Sequence, residues 1–152
     1  MANLIAVFRQ TPKELFRVNN GWQVSLRAWS PSRRVYDIVP ENGLVKPKAL
    51  DLASYKAPNG ASMRPNSLYQ QSLVSWRHRG NDVMVYAVPK GTDLPEDLLL
   101  VHERSDHYSL QPAIPMTLEA LNTTITRFLL DNAQIFTREQ WLHAYPKATD
   151  NL

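Results

Sequence analysis

The chain has 152 residues, of which 43% are hydrophobic and 20% charged, as is usual for a globular protein of about one domain. It contains no cysteine, which excludes disulfides, thiolate metal sites and a cysteine nucleophile. The net charge of +3 mildly favours an anionic ligand or partner.

The first half of the chain is predicted to form short strands between tight turns. All five glycines lie in turn-like sequences such as Asn-Gly, where a positive φ is expected. Arg17 lies in a short strand-like stretch, and residues 22–29 alternate apolar and polar side chains as a half-buried strand does. Residues 35–39 are a shorter strand candidate, whereas residues 47–55 are a candidate for a short helix.

Four further strands are predicted, at residues 73–76, 82–88, 98–103 and 107–114. The segment 82–88 is apolar on both faces, which indicates a central strand. Pro112 and Pro115 are expected to end the last strand, because proline cannot donate to a ladder of backbone hydrogen bonds.

Only the last third of the chain has clear helical spacing. Apolar residues recur at Leu118, Leu121, Ile125, Phe128 and Leu129, with Thr117 as the expected N-cap. A second short helix is predicted to begin at Thr137, where the sequence fits a capping box. We therefore predict one domain, residues 1–152, of the α+β class, with mostly antiparallel strands and packed helices.

Several common sites are not indicated by the sequence. Residues 102–107 (HERSDH) hold potential metal ligands, but the two histidines should point to opposite faces of a strand, and a solvated polar turn is favoured. No G-x-S-x-G elbow of a serine hydrolase occurs, and neither a P-loop nor a G-x-G-x-x-G motif is present. We assign no metal.

RNA binding is an alternative that the residues leave open. Residues 30–36 (SPSRRVY) and 76–80 (WRHRG) combine arginines with aromatic side chains that could stack on bases, although solvated basic turns have the same composition. A ribonuclease would take its acid and base from among the four histidines, but their spacing selects no pair. They are His78, His102, His107 and His143.

Residues 88–129 contain two ordered sequence blocks followed by an amphipathic helix. The first is P-x-G-T-x-[LI]-P-x-x-L at residues 89–98, and the second is HY-[ST]-[LI]-x-P-A-x-PM at residues 107–116. In this order the blocks resemble the toxin domain of the second exported type VI secretion effector of pseudomonads, whose relatives also occur in fungi. The resemblance extends more weakly to residues 15–18 (LFRV) and 58–67 (PNGASMRPNS).

This resemblance implies an ADP-ribosyltransferase-like fold, in which two small, mostly antiparallel sheets form an NAD cleft with helices outside. It also implies the function: binding NAD as substrate, then transferring ADP-ribose to an intracellular target or cleaving NAD near it, with growth arrest as the result. Such a site must grip the pyrophosphate and stabilise the positive charge that develops as nicotinamide leaves.

The resemblance assigns these tasks to particular residues. Arg17 would bind the pyrophosphate, because a guanidinium group matches phosphate oxygens in a bidentate manner. Ser62, preceded by Ala61, would hydrogen-bond the nicotinamide ribose or carboxamide, and His107 would face the ribose or the incoming acceptor. The implied catalytic set is Arg17, Ser62 and His107, and the implied cofactor-binding set is Arg17, Ala61, Ser62 and Tyr69.

One feature of the better-known transferases has no counterpart in this chain. Their late glutamate, often within an E-x-E or Q-x-E pair, is missing, and Glu103 and Asp106 are the candidates to replace it. Tyr108, next to His107, should point to the opposite side of the strand, into the core. Because the late glutamate is missing, a third alternative is a domain of the same fold that has lost catalysis and serves as an interaction surface.

The expected partners are NAD, an intracellular macromolecular target, and an immunity protein that covers the cleft. No membrane is expected, since no apolar run approaches the roughly 20 residues of a transmembrane helix. The amino-terminal stretch lacks the basic lead of a secretory signal. We thus expect a cytoplasmic protein, or one delivered to a target-cell cytoplasm without a cleavable signal peptide.

Overall fold

Two antiparallel sheets form the framework of the computed structural model, which describes residues 4–77, 80 and 82–150. Within these residues, seven strands occur: β1 (Ala6–Phe8), β2 (Leu15–Asn20), β3 (Ala61–Met63), β4 (Val83–Val88), β5 (Leu98–Arg104), β6 (His107–Pro112) and β7 (Gln134–Thr137). The first sheet has the order β1-β5-β6-β3 and the second the order β2-β4-β7.

The helices are α1 (Leu68–Ser72), α2 (Leu118–Asn132) and α3 (Arg138–Ala144), with a π-helical turn at Leu73–Arg77 and a 3₁₀ turn at Lys48–Leu50. Two antiparallel sheets with three helices confirm the predicted α+β class. No helix among the described residues is long and apolar enough to cross a membrane.

The two sheets meet where β2 runs beside the end of β3. Phe16 and Arg64 exchange backbone hydrogen bonds, of 2.7 Å from Phe16 N to Arg64 O and 3.0 Å from Arg64 N to Phe16 O. This bridge brings Arg17 of one sheet next to Ser62 of the other. A single cavity wall is thus assembled from two segments that are 45 residues apart in the chain.

Most elements of the second half agree with the sequence prediction, although β7 (Gln134–Thr137) was not predicted. Strand β4 is the central strand of its sheet, and β6 ends at Pro112. Thr117 caps α2 by accepting a hydrogen bond from the backbone of Ala120, and Thr137 forms the predicted capping box of α3. Tyr108 is buried in the main core, on the opposite face of β6 from His107, as expected.

The strand predicted at residues 22–29 does not form. The predicted burial alternation is present in part, since Val24 and Leu26 are buried while Gln23 and Arg27 are exposed, but Trp22 is 57% exposed. However, the backbone N–H groups of Val24 and Leu26 donate to side chains of α2, Thr126 Oγ1 and Asn122 Oδ1, each at 2.9 Å. Alternating apolar and polar residues indicate which side chains are buried, but they do not indicate which groups accept the backbone hydrogen bonds. Here side chains of helix α2 accept them in place of a neighbouring strand.

Three other predictions were also wrong. Residues 35–39 contribute only one bridge, between Ile38 and Ala28. Residues 73–76 lie in the π-helical turn, because α1 begins at the N-cap Ser67 and continues into them. Residues 47–55 form only the three-residue 3₁₀ turn, after which the chain leaves the helix and buries Tyr55.

The positive φ expected of the glycines is found at Gly21, Gly43 and Gly91, but not at Gly60. Gly60 is needed for a different reason: a Cβ atom there would lie 2.0 Å from the backbone oxygen of Leu110. The glycine therefore allows the start of β3 to approach β6 closely, which places Ser62 opposite Ser109 of β6.

Candidate active site

Arg17 lies on β2 and links the two sheets. Its Nη1 donates to the backbone oxygen of Ser62 and its Nη2 donates to Oδ1 of Asn19, both at 3.2 Å. Asn19 is held in turn, since its Nδ2 donates to the backbone oxygens of Gly21 (2.8 Å) and Gln23 (2.9 Å). The guanidinium group is thus fixed in orientation by groups on both sides.

A cavity of about 430 Å³ opens in front of Arg17, within the range of about 300–1,000 Å³ that is usual for small-molecule sites. Three arginines line it, namely Arg17, Arg27 and Arg64, against one carboxylate, Asp37. Arg27 is already neutralised, because its Nε and Nη2 donate to the two oxygens of Asp37 at 3.1 and 3.3 Å. The remaining positive charge of the cavity wall therefore belongs to Arg17 and Arg64.

Three buried donors in this wall have no acceptor within the described part of the chain. They are Nε of Arg17, Nε of Arg64 and Nε2 of Gln70. Arg64 Nε has only a distant charge contact, 3.9 Å from Oδ2 of Asp106. Buried donors without acceptors are costly, and these three belong to residues that line one cavity, which favours a ligand rich in acceptor oxygens.

The electrostatics of the cavity favour an anion. Burial lowers the pKa of Arg17 to about 10; Asp37 opposes this shift, while Arg27 and Arg64 add to it. Burial likewise lowers the pKa of Arg64, against the opposing effect of Asp106. Both groups stay charged at neutral pH. Burying each charge costs free energy, and a bound anion would reduce that cost.

Ser62 lies at the inner edge of the cavity, and its Oγ is 2.9 Å from Nε2 of His107. The two residues share one face of the first sheet because Ser62 pairs with Ser109, two positions along β6 from His107. His107 is not among the cavity-lining residues and reaches the cavity through Ser62. The structure therefore brings together all three residues of the expected catalytic set: Arg17, Ser62 and His107.

Behind His107 lies Glu103, a buried carboxylate. Its Oε1 is 2.8 Å from His107 Nδ1, although the N–H direction is poorly aligned for a hydrogen bond, and its Oε2 accepts a hydrogen bond from the Tyr55 hydroxyl. Burial tends to raise the pKa of Glu103, but the contacts with His107 and Tyr55 outweigh it and bring the pKa below its ordinary value. Glu103 is therefore ionised at neutral pH.

A β-bulge produces the contact between Glu103 and His107. On β5, His102 pairs with Tyr108 and Arg104 pairs with His107, which leaves Glu103 as the extra residue between them. A bulge redirects the side chain of the extra residue. Glu103 consequently lies beside His107, and it is turned towards the histidine instead of towards the cavity.

The other two residues expected to bind the cofactor do not line the cavity. The Ala61 side chain is fully buried in the main core, on the face of β3 opposite to Ser62. Tyr69 is exposed on α1, with the guanidinium of Arg64 over its ring at 4.7 Å and that of Arg77 at 5.5 Å. Through Arg64, Tyr69 contacts the edge of the arginine cluster without entering it.

The three histidines that the structure describes do not converge as a ribonuclease site would require. His102 stacks on Tyr108 at 4.0 Å, on the opposite face of the sheet from His107, and His143 is exposed on α3. His78 lies outside the described residues. Asp106, the second candidate to replace the late glutamate, accepts a hydrogen bond from Ser67 Oγ at 2.5 Å and lies near Arg64, outside the cavity lining.

Sequence reasoning missed Arg64 and Gln70 as cavity residues and Glu103 as the partner of His107. Arg64 lies within the weakly matching stretch at 58–67, and Gln70 follows that stretch. Their closeness to Ser62 in the sequence was the only signal that could have indicated a place in the cavity wall. Nothing in the sequence marks the bulge that redirects Glu103.

The comparison with protein families agrees with the geometry. The model of the Tse2 ADP-ribosyltransferase toxin family matches residues 13–141, a range that includes every expected site residue. The two antiparallel sheets with three helices are consistent with that type of toxin domain. No curated protein matches the chain.

Proposed function

Because the chain belongs to the Tse2 ADP-ribosyltransferase toxin family, we propose that it binds NAD in the arginine-lined cavity. We further propose that it transfers ADP-ribose to an intracellular target or cleaves NAD near it, which would arrest growth. NAD is the substrate of ADP-ribosyltransferases, which supports this choice of ligand over other anions.

The observation that carries the proposal is that three residues lining one cavity each have a buried donor without an acceptor among the described residues. Arg17 and Arg64 offer guanidinium groups and Gln70 offers an amide, all within one cavity that has little remaining negative charge. A pyrophosphate has several acceptor oxygens and a double negative charge, and guanidinium groups bind such oxygens in a bidentate manner. The pyrophosphate of NAD thus matches both the chemistry and the charge of the wall.

Ser62 and His107 would act at the other end of the ligand. Ser62 lies on the cavity wall and would hydrogen-bond the nicotinamide ribose or carboxamide, while His107 would exchange a proton with the acceptor through Ser62. The backbone at Ala61 would border the ribose, and Tyr69 would flank the site from outside through its contact with Arg64.

The site of action and the partners follow from the toxin assignment. A target of ADP-ribosylation inside the cell implies action in the cytoplasm, either of the producing cell or of a cell to which the protein is delivered. In a bacterial producer, an immunity protein that covers the cavity would prevent self-intoxication.

The decisive experiment is incubation of the purified protein with labelled NAD and a cell lysate. We expect release of nicotinamide and transfer of label to a discrete acceptor, which would identify the target at the same time. Absence of both, from folded protein that also fails to bind NAD, would refute the proposal.

Growth provides a second test. Expression of the wild type in a host without an immunity protein should arrest growth, whereas His107→Ala at equal soluble level should not. Equal growth of the two strains would remove His107 from the mechanism.

The RNA alternative has some support from an exposed cation–aromatic group. The guanidinium of Arg77 lies over the rings of Trp76 and Tyr69 at 5.7 and 5.5 Å, and Trp76 is 56% exposed. Such a surface could stack on single-stranded bases. Binding of RNA that weakens steeply with salt would support this function, and no binding at low salt would exclude it.

A further inference from the structure

A chain of four side chains leads from the core to the cavity wall, in the order Tyr55, Glu103, His107 and Ser62. Tyr55 donates to Glu103 Oε2, Glu103 Oε1 lies 2.8 Å from His107 Nδ1, and His107 Nε2 lies 2.9 Å from Ser62 Oγ. Only the last member reaches the cavity. The proposed function uses His107 and Ser62. It leaves the two buried members of this series, Tyr55 and Glu103, without a role.

The direction of the first hydrogen bond is determined by neighbouring amides. Gln111 Nε2 can only donate, and it donates to the Tyr55 hydroxyl oxygen at 2.7 Å. The single proton of Tyr55 must therefore point to Glu103. Asn59, which donates to Gln111 Oε1 at 3.5 Å, sets the orientation of the glutamine amide.

The position of the proton on His107 follows from the same argument. Glu103 is ionised and accepts from Tyr55, so its other oxygen is also an acceptor. Two acceptors would repel each other at 2.8 Å, so Nδ1 carries the proton, although its N–H is poorly aligned with Oε1. In the neutral ring Nε2 is then the acceptor, and the Ser62 hydroxyl is the donor.

A buried carboxylate in this position needs a reason. Removing a charge from water costs several kcal/mol unless the charge is paired, and an apolar pair of similar volume would fill the space without that cost. Glu103 is only 5% exposed and faces the His107 ring, which contacts the cavity serine. The arrangement is that of a base oriented by a third group, as in nucleophile activation by histidine.

We propose that Glu103 and Tyr55 are positioning residues which hold the His107 ring, keep its proton on Nδ1 and leave Nε2 to accept a proton at the cavity wall. The catalytic part of this inference rests on the proposed function. It also defines the acceptor of ADP-ribose as a group with a proton to lose, such as a hydroxyl group or water, in preference to a carboxylate.

The transfer step then balances without any further reagent. The bond between C1′ of the ribose and nicotinamide breaks, and nicotinamide leaves with the bonding electrons. The acceptor oxygen bonds to C1′ and gives its proton to the Ser62 oxygen as the Ser62 proton passes to His107 Nε2. The imidazolium ion that results faces the carboxylate of Glu103.

The first test determines the tautomer and needs no enzymatic activity. Long-range proton–nitrogen correlation spectra of protein with labelled histidine should show the neutral His107 ring protonated on Nδ1. In the double variant Tyr55→Phe/Glu103→Leu, which replaces the buried polar pair by an apolar pair, that preference should be lost. A wild-type ring protonated on Nε2, or an unchanged tautomer in the variant, would overturn the inference.

The second test measures nicotinamide release. In the double variant kcat should fall at least about tenfold, because the histidine loses the carboxylate that keeps it in the correct tautomer, while KM for NAD changes less than about twofold. The exposed Glu96→Gln is the matched control and should keep both values. An unchanged kcat in the folded variant, or a rise in KM alone, would contradict the positioning role.

The outcomes separate this inference from the proposed function. If the wild type released no nicotinamide, the proposed function would fail, and the tautomer measurement would still decide whether Glu103 and Tyr55 position His107. If the wild type cleaved NAD and the tautomer preference were absent, the proposed function would stand and the positioning role would be overturned.

Discussion

At the scale of single residues, Arg17 serves two purposes that depend on its planar fork. Two of its nitrogens donate to Ser62 and Asn19, and the third is buried in the cavity wall without an acceptor among the described residues. A lysine would keep the charge but has a single nitrogen, so it could not brace the wall and bind a ligand at the same time.

Substitution Arg17→Lys should therefore weaken NAD binding at least about tenfold, equivalent to about 1.4 kcal/mol. Isothermal titration calorimetry measures this effect, and Arg127→Lys on the exposed side of α2 is the matched control. Equal affinity of the two variants would show that the charge alone matters.

Glu103 should make the stability of the protein depend on pH. Burial tends to raise the pKa of this carboxyl, but the contacts with His107 and Tyr55 bring it below its ordinary value, so the folded protein binds this proton less tightly than the unfolded chain. The ionised form thus adds stability at neutral pH. That stability should be lost as the pH falls below the ordinary carboxyl range of about 4 to 5.

Urea denaturation at several pH values tests this expectation. The free energy of unfolding of the wild type should fall more steeply below about pH 5 than that of Glu103→Gln, in which this position cannot titrate. Parallel pH dependence of the two proteins would show that Glu103 is not held as described.

At the scale of elements, β3 is the strand on which the site depends. It is three residues long, carries Ser62, and reaches its position against β6 only because Gly60 lacks a side chain. Directly after β3, Arg64 forms a backbone bridge to Phe16 of the second sheet. A shift of this strand would therefore separate Ser62 from both Arg17 and His107.

Gly60→Ala should destabilise the protein by about 2 kcal/mol or more, since a Cβ atom would lie 2.0 Å from a backbone oxygen and β3 would have to move. Gly43→Asn is the informative control: Gly43 has a positive φ but open space around it, and asparagine tolerates that conformation. Chemical denaturation should separate the two variants clearly, and similar small effects would contradict the close approach.

The segment 22–29 shows how a helix can take over the role of a strand. Its buried side chains pack into the main core, its polar side chains Gln23, Ser25 and Arg27 line the cavity, and α2 satisfies two of its backbone donors. This segment therefore connects the packing of α2 to the shape of the cavity.

Thr126→Val should leave the buried N–H of Val24 without its acceptor and cost about 1–3 kcal/mol. Because the adjacent residues line the cavity, NAD binding should also weaken. Thr123→Val, on the exposed side of the same helix, should change neither. Thermal unfolding with and without NAD measures both effects, and equal behaviour of the two variants would contradict the described role of Thr126.

At the scale of the whole molecule, the cavity lies where the two sheets meet. Arg17 belongs to the three-stranded sheet and Ser62 to the four-stranded sheet, so a ligand that contacts both would bind the folded state only. Such a ligand stabilises the whole protein according to its concentration relative to Kd.

ADP-ribose should therefore raise the melting temperature, and nicotinamide alone should not, because the buried donors of the cavity match the pyrophosphate. Differential scanning calorimetry with each compound at millimolar concentration tests this, with Arg17→Met as the variant in which the shift should vanish. A shift caused by nicotinamide and not by ADP-ribose would reverse the orientation proposed for NAD.

The sequence by itself determined the α+β class, the central position of β4, the end of β6 and both capped helices, because these features depend on local patterns of burial and capping. Through the ordered blocks at 89–98 and 107–116, it also indicated the toxin family, which the family comparison confirmed.

Only the tertiary structure decided what residues 22–29 pair with, why Gly60 is a glycine, and which side chains meet at the cavity. Gln70 of α1 lines the same cavity as Arg17 of β2, and Glu103 contacts His107 because of a bulge. Such contacts depend on the register and spacing of distant segments, for which a local sequence pattern has no signal.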